Sequence, residues 1–250
     1  MRNKKIATST IMAAVTLLSG PAMAMAHGDT TEPVDDPALC APYLALTASF
    51  NGEPDPAAVE ALVTEAEAAA PEDLADTLGV LTGAVRTILE TGDFGAFETP
   101  EVTEAKSTLD MWVFESCAFG TKLEVAASEY AFGGFPAEVP AGTFAIALHN
   151  IGEEVHELVI IRRLEDTTES WDELLALPQD EALTKTELVG VTFAPVPDSV
   201  GVLTGELVPG DYIALCFIPA GSIAGADGST PPDATPHFMH GMRHEFTVTG

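Results

Sequence analysis

Positive charge is what this sequence has least of. Ten Lys and Arg stand against 39 Asp and Glu in 250 residues, a formal net charge of −29. So acidic a surface repels phosphate backbones and anionic headgroups, which argues against nucleic acid or an anionic membrane as partner. It suits a chain kept soluble outside the cell or in salty medium, and it is compatible with a basic redox partner steered by its field. Beyond the first segment no apolar run is long enough to anchor in a bilayer. Also missing are His-Glu-x-x-His, a phosphate-binding Gly-rich loop and Gly-x-Ser-x-Gly, and with them the chemistries that those spacings serve. The acidic runs Glu32 to Asp36, Glu153-Glu154 and Glu165-Asp166 read as solvated faces. Enzymatic activity of the chain's own is not expected.

The first residues have the build of a secretory signal. Arg2, Lys4 and Lys5 precede an apolar run from Ile6 to Leu18, too short to span a bilayer. Small-residue cleavage patterns follow at Ala22-Met23-Ala24 and Ala24-Met25-Ala26. Cleavage after Ala26 makes residues 1–26 the signal and leaves His27 at the new amino terminus. Seven basic residues then face 39 acidic ones, a charge of −32. No cysteine stands at the cleavage region to take a lipid. The expected location is therefore extracytoplasmic, secreted or periplasmic, and soluble.

Cysteine is scarce too: Cys40, Cys117 and Cys216. In an oxidising compartment two should pair and one remain. Cys40 and Cys117 fall within helical patterns of the first half, whereas Cys216 stands alone on a strand-like run. The expected pair is Cys40–Cys117. Its closure of a long loop is worth about 4–5 kcal/mol on chain-entropy arguments.

Residues 27–36 are polar and Pro/Asp-rich, a leader without a pattern. From Asp36-Pro37 apolar residues recur at helical spacing (Leu39, Tyr43, Leu44, Leu46) up to Phe50. Further helices start at Asp55-Pro56, at Pro71-Glu72-Asp73 and at Thr99-Pro100-Glu101, the last reaching Cys117. This predicts a bundle of about four helices over 37–119. After Gly120 the period changes to two. Strands are expected at Lys122–Ala127, Thr143–Leu148, Val155–Ile161, Leu188–Phe193, Gly201–Leu207, Tyr212–Phe217 and Glu245–Val248, with one short helix near Ser170–Leu177. The fold class is α+β with two domains: a helical bundle, then a Greek-key β-sandwich over 120–250.

Near the end, Pro236-His237-Phe238-Met239-His240-Gly241-Met242-Arg243-His244 brings three of the six histidines and two methionines together. Imidazole beside thioether suits a soft or borderline transition metal, copper above all. A blue-copper site needs two imidazoles, a thiolate from an unpaired cysteine, and a weak axial thioether. The chain can supply each: His156 on an early strand, Cys216 at a strand end, and His237 and Met242 before the last strand.

These stretches resemble the cupredoxin family, of the plastocyanin and halocyanin type, over about residues 120–250. Asn150-Ile-Gly152-Glu-Glu-Val-His156 is similar to the family's turn and first histidine. Gly210-Asp-Tyr212-Ile-Ala-Leu-Cys216 follows its Gly-x-Tyr-x-x-x-Cys strand. Pro236-His237, four residues, Met242 and the closing Thr247-Val248 follow its final segment. The resemblance implies one mononuclear copper ion held by His156, Cys216, His237 and Met242. It leaves His240 and His244 as bystanders, with Met239 a rival axial ligand, His149 a rival first imidazole and His27 a chelator only if it becomes the terminus. The family keeps its cysteine and second histidine a few residues apart; here twenty intervene. A tenfold longer loop costs about 2 kcal/mol in closure, and a metal site returns on the order of 10 kcal/mol, so the insertion is compatible with copper. The implied function is one-electron transfer. Copper sequestration or delivery, and a cupredoxin-like scaffold without working copper, are the alternatives.

Overall fold

The computed structural model describes residues 36–51, 55–223 and 233–250. The signal segment, the leader up to residue 35 and much of the Cys216–His237 insertion lie outside the described residues.

Four helices form the first half: α1 (Cys40–Ala48), α2 (Pro56–Ala69), α3 (Ala75–Thr91) and α4 (Pro100–Ser116). Asp55 and Thr99 cap α2 and α4 through their side chains, each followed by proline at the first helical position, as the sequence suggests. Asp36 does not cap α1. Its Oδ1 accepts the backbone N–H of Ala118 (2.7 Å), tying the start of the bundle to its end. The Cys40–Cys117 disulfide closes the same junction, with Cα atoms 5.8 Å apart. Leu39, Tyr43, Leu78, Leu109 and Val113 pack around it. Each side chain so buried contributes about 1.5–3 kcal/mol in removed apolar surface.

The second half is a two-sheet β-sandwich. One sheet runs β2 (Ala131–Gly133), β1 (Thr121–Ser128), β4 (Gly142–Asn150), β7 (Val200–Leu207). The other runs β3 (Glu138–Pro140), β9 (Arg243–Thr249), β8 (Gly210–Leu215), β5 (His156–Arg163), β6 (Thr186–Ala194). The three-residue strands β2 and β3 are too short to show a period and escape a pattern search. A short helix α5 (Trp171–Ala176) stands where the sequence suggests one, closed by a Ser170/Glu173 capping box. A further turn of helix, α6 (Gln179–Ala182), follows it.

Alternation along the strands decides which side chains enter the sandwich. On β8 and just after it, Tyr212, Ala214 and Cys216 face the inner core, while Ile213 and Leu215 pack under Trp171 and Leu174 of α5. On β5, Leu158 and Ile160 face inward, and His156 shares their parity. On β9, Phe246 and Val248 do so, in step with Met242.

The two halves touch. Ser107 Oγ donates to Val200 O (2.9 Å) and accepts from Val200 N (2.7 Å), and Asp110 Oδ2 accepts from Val202 N (3.1 Å). Helix α4 thus satisfies backbone groups of β7, the edge strand of its sheet. Phe114 adds an apolar contact with Ala145 and Ala147 of β4.

Candidate metal centre

Three buried side chains converge at one end of the sandwich. His156, Cys216 and His237 each offer a ligand atom, and these atoms lie within 4.8 Å of one another. All three residues, and Met242, have no exposed surface. The thiol is free among the described residues, since the other two cysteines are bonded to each other. Cys216 Sγ lies 3.4 Å from His237 Nδ1, and the backbone N–H of Glu157 points at the same sulfur (3.5 Å).

Backbone hydrogen bonds knit these positions together. Phe238 N donates to Cys216 O (2.9 Å), Cys216 N to Met242 O (3.3 Å), and Met242 N to His237 O (3.1 Å). His237 opens a single turn of 3-10 helix ending at His240. Gly241 follows with φ +113°, a backbone L side chains rarely adopt, and returns the chain so that Met242 meets His237. The long insertion between the cysteine and the second histidine is pinched at its base. Pro219 and Pro236 form an isolated bridge, Ala220 N donates to Thr235 O (3.0 Å), and His237 N to Ile218 O (2.8 Å). The stem keeps Cys216 and His237 adjacent whatever the length beyond it.

Burial governs the protonation of the site. It pushes the Cys216 thiol up to about 12, with backbone N–H donors pulling the other way. Burial likewise lowers both imidazoles from their ordinary value, His156 further by the neighbouring His237. In the free chain the centre is therefore two neutral rings and a protonated thiol at neutral pH. His156 is the clearest sign that a ligand is wanted: both its ring nitrogens are buried without a hydrogen-bond partner among the described residues. Glu129 Oε1 lies 3.4 Å from its Nε2, a charge contact that does not satisfy the nitrogen. Unsatisfied buried polar atoms are rare enough to need a cause. Two imidazoles, one thiol that metal binding can deprotonate, and a thioether nearby are the donor set of a copper site.

The remaining candidates lie elsewhere. His240 Nε2 meets Thr235 Oγ1 (2.7 Å) and its ring lies tilted against Tyr130, with centroids 4.8 Å apart. His244 Nε2 accompanies Pro136 O (3.2 Å) and stacks on Phe135. Met239 is exposed, and His149 sits 4.0 Å from Glu124 outside the group. His27 lies outside the described residues.

Sequence reasoning missed the residues behind the rings. Glu154 is no solvated face: its Oε2 stands 3.0 Å from His237 Nε2 and its Oε1 accepts from Tyr130 OH (3.1 Å). Glu129 Oε1 accepts the backbone N–H of Glu153 (2.7 Å) and Glu154 (2.8 Å), and these bonds outweigh burial in holding its carboxyl below the usual range. The signal available was the place of Glu154 two residues before His156, in the turn that leads into β5. Asn150 builds that turn, its side chain bonding Gly152 N, Glu154 O and Ala194 O.

No family model and no curated protein matches this chain. Solved structures do. Dithionite-reduced auracyanin from Roseiflexus castenholzii is similar at 25% identity over 53% of this chain and 99% of its own, with a TM-score of 0.35. Auracyanin A, a blue copper protein of Chloroflexus aurantiacus, is 16% identical over 52% of this chain and 100% of its own, at 0.32. Rusticyanin from Thiobacillus ferrooxidans is 18% identical over 53% of this chain and 80% of its own, at 0.30. Each of these matches spans about half of this chain.

Proposed function

We propose that this chain is an extracytoplasmic protein that binds one copper ion and passes single electrons, without an enzymatic activity of its own. The observation that carries the reading is the convergence of His156, Cys216 and His237, fully buried on strand ends and short connections, with one ring left without hydrogen bonds. Bound copper supplies a one-electron couple. The chain's residues supply the rest. Cys216 gives the thiolate, His156 and His237 give neutral nitrogens, and Met242 is the proposed weak fourth donor. Burial excludes water, and the backbone bonds that link residues 216, 237, 238 and 242 resist rearrangement, which favours fast transfer because little must move. The secretory-type first segment and the Cys40–Cys117 disulfide support an oxidising compartment. No described helix is long and apolar enough to cross a membrane.

The test is a titration of the full mature chain with Cu²⁺, followed by voltammetry. One equivalent should give intense visible thiolate-to-copper absorption, absent in Cys216→Ser, and a reversible one-electron wave. Copper bound without a reversible wave would assign the chain to copper storage or delivery, and a colourless chain that takes up no metal would end the reading.

A further inference from the structure

We infer that Glu154 is a positioning residue of the metal centre, holding the His237 ring through Nε2 so that Nδ1 is presented beside Cys216. The inference rests on the copper reading above. A carboxylate can only accept, so at 3.0 Å its partner Nε2 must carry the hydrogen when the ring is neutral. The lone pair then falls on Nδ1, the atom 3.4 Å from the cysteine sulfur. With His237 wholly buried, no water competes for either nitrogen. Fixing a ligand ring's tautomer through its far nitrogen is how metal sites gain ligand basicity and orientation.

Glu154 is itself clamped from three directions. Tyr130 OH donates to Oε1, with the Tyr130 ring 4.7 Å from the His237 ring. The backbone N–H of Gly221, inside the Cys216–His237 connection, donates to Oε2. The backbone of Glu154 is held by Glu129 Oε1 at its N–H and by Asn150 Nδ2 at its carbonyl. The side chain is 15% exposed, so its partners rather than solvent set its rotamer. Glu154 therefore also couples the base of the long connection to the ligand ring. The carboxylates of Glu154 and Glu129, each within 3.4 Å of a ring nitrogen, add negative charge that favours the dipositive over the monopositive ion.

Three full-length chains, wild type, E154Q and E154L, separate orientation from charge. The first readout needs no metal: ¹⁵N ring NMR of His237 in the free protein. Wild type should show the Nε2–H tautomer, E154Q should retain it because the amide oxygen still accepts, and E154L should lose it. The Nε2–H tautomer undiminished in E154L would overturn the positioning role. The second readout is on copper-loaded chains. E154L should bind Cu²⁺ about 10–100-fold more weakly, E154Q less so, and both should show a raised reduction potential. An unchanged potential in E154Q would overturn the charge effect, and E154Q decides that point even if E154L fails to fold. If none of the chains binds copper, the copper reading fails while the ring tautomer still decides whether Glu154 positions His237.

Discussion

The two halves of this molecule dispose of their cysteines in opposite ways. In the bundle, Cys40 and Cys117 stand with Cα atoms 5.8 Å apart and are bonded, joining the first helix to the end of the last. In the sandwich, Cys216 is sealed from solvent and from other cysteines, and its nearest polar neighbours are a histidine ring and a backbone N–H. One half uses sulfur to hold itself together, the other keeps it reduced beside two imidazoles. In the oxidising medium proposed above, one chain can do both because position, not environment at large, decides which thiols meet. The division is incomplete, since α4 also serves the sandwich by satisfying backbone groups of β7.

Replacing both Cys40 and Cys117 by serine should destabilise the protein by about 4–5 kcal/mol, the loop-entropy value for a separation of 77 residues. Denaturant melts should show that loss, while the visible spectrum of the copper form stays as in wild type. A changed spectrum would mean that the halves share more than a contact. Next in size is Asp110→Ala, which leaves the buried Tyr43 OH and the half-buried Val202 N–H without their acceptor. Two such donors at about 1–3 kcal/mol each put the loss near 3 kcal/mol. Tyr43→Phe, with one donor removed and no donor stranded, should lose less.

Proton linkage sharpens the sandwich's side. Burial holds the Cys216 thiol protonated up to about pH 12, so metal uptake must release its proton. The two rings, lowered by burial, release none at neutral pH. Apparent copper affinity should therefore rise about tenfold per pH unit from pH 7 to 10, measured against a competing chelator of known protonation. A pH-independent affinity would mean the thiol is not a ligand. The smallest effect is expected from the insertion. Replacing residues 223–233 by a two-residue turn, with the Pro219–Pro236 bridge kept, should alter stability by less than about 1 kcal/mol and leave the copper spectrum in place. A lost spectrum would show that the stem does not by itself position the ligands.

Much of this was legible in advance where a period existed. The four helices announce themselves by caps such as Asp55-Pro56 and Thr99-Pro100, and the longer strands by alternation. Family spacing pointed to His156 and Cys216, and both are buried in the structure, Cys216 within the sandwich core. Contacts between residues far apart in sequence were not legible. Glu154 looks like half of an ordinary acidic pair until His237, 83 residues on, folds against it. Asp36 looks like a helix cap, yet it bonds Ala118. Asp110 has the appearance of a helix-surface charge, but α1 and an edge strand meet there.

The central claim is that His156, Cys216 and His237 together hold one copper ion. X-ray absorption at the copper edge of the singly loaded full chain tests it most directly. The shell should hold two imidazole nitrogens and one short sulfur, with the sulfur lost in Cys216→Ser and one imidazole lost in His237→Ala. A shell of nitrogen and oxygen alone, unchanged by either substitution, would contradict it.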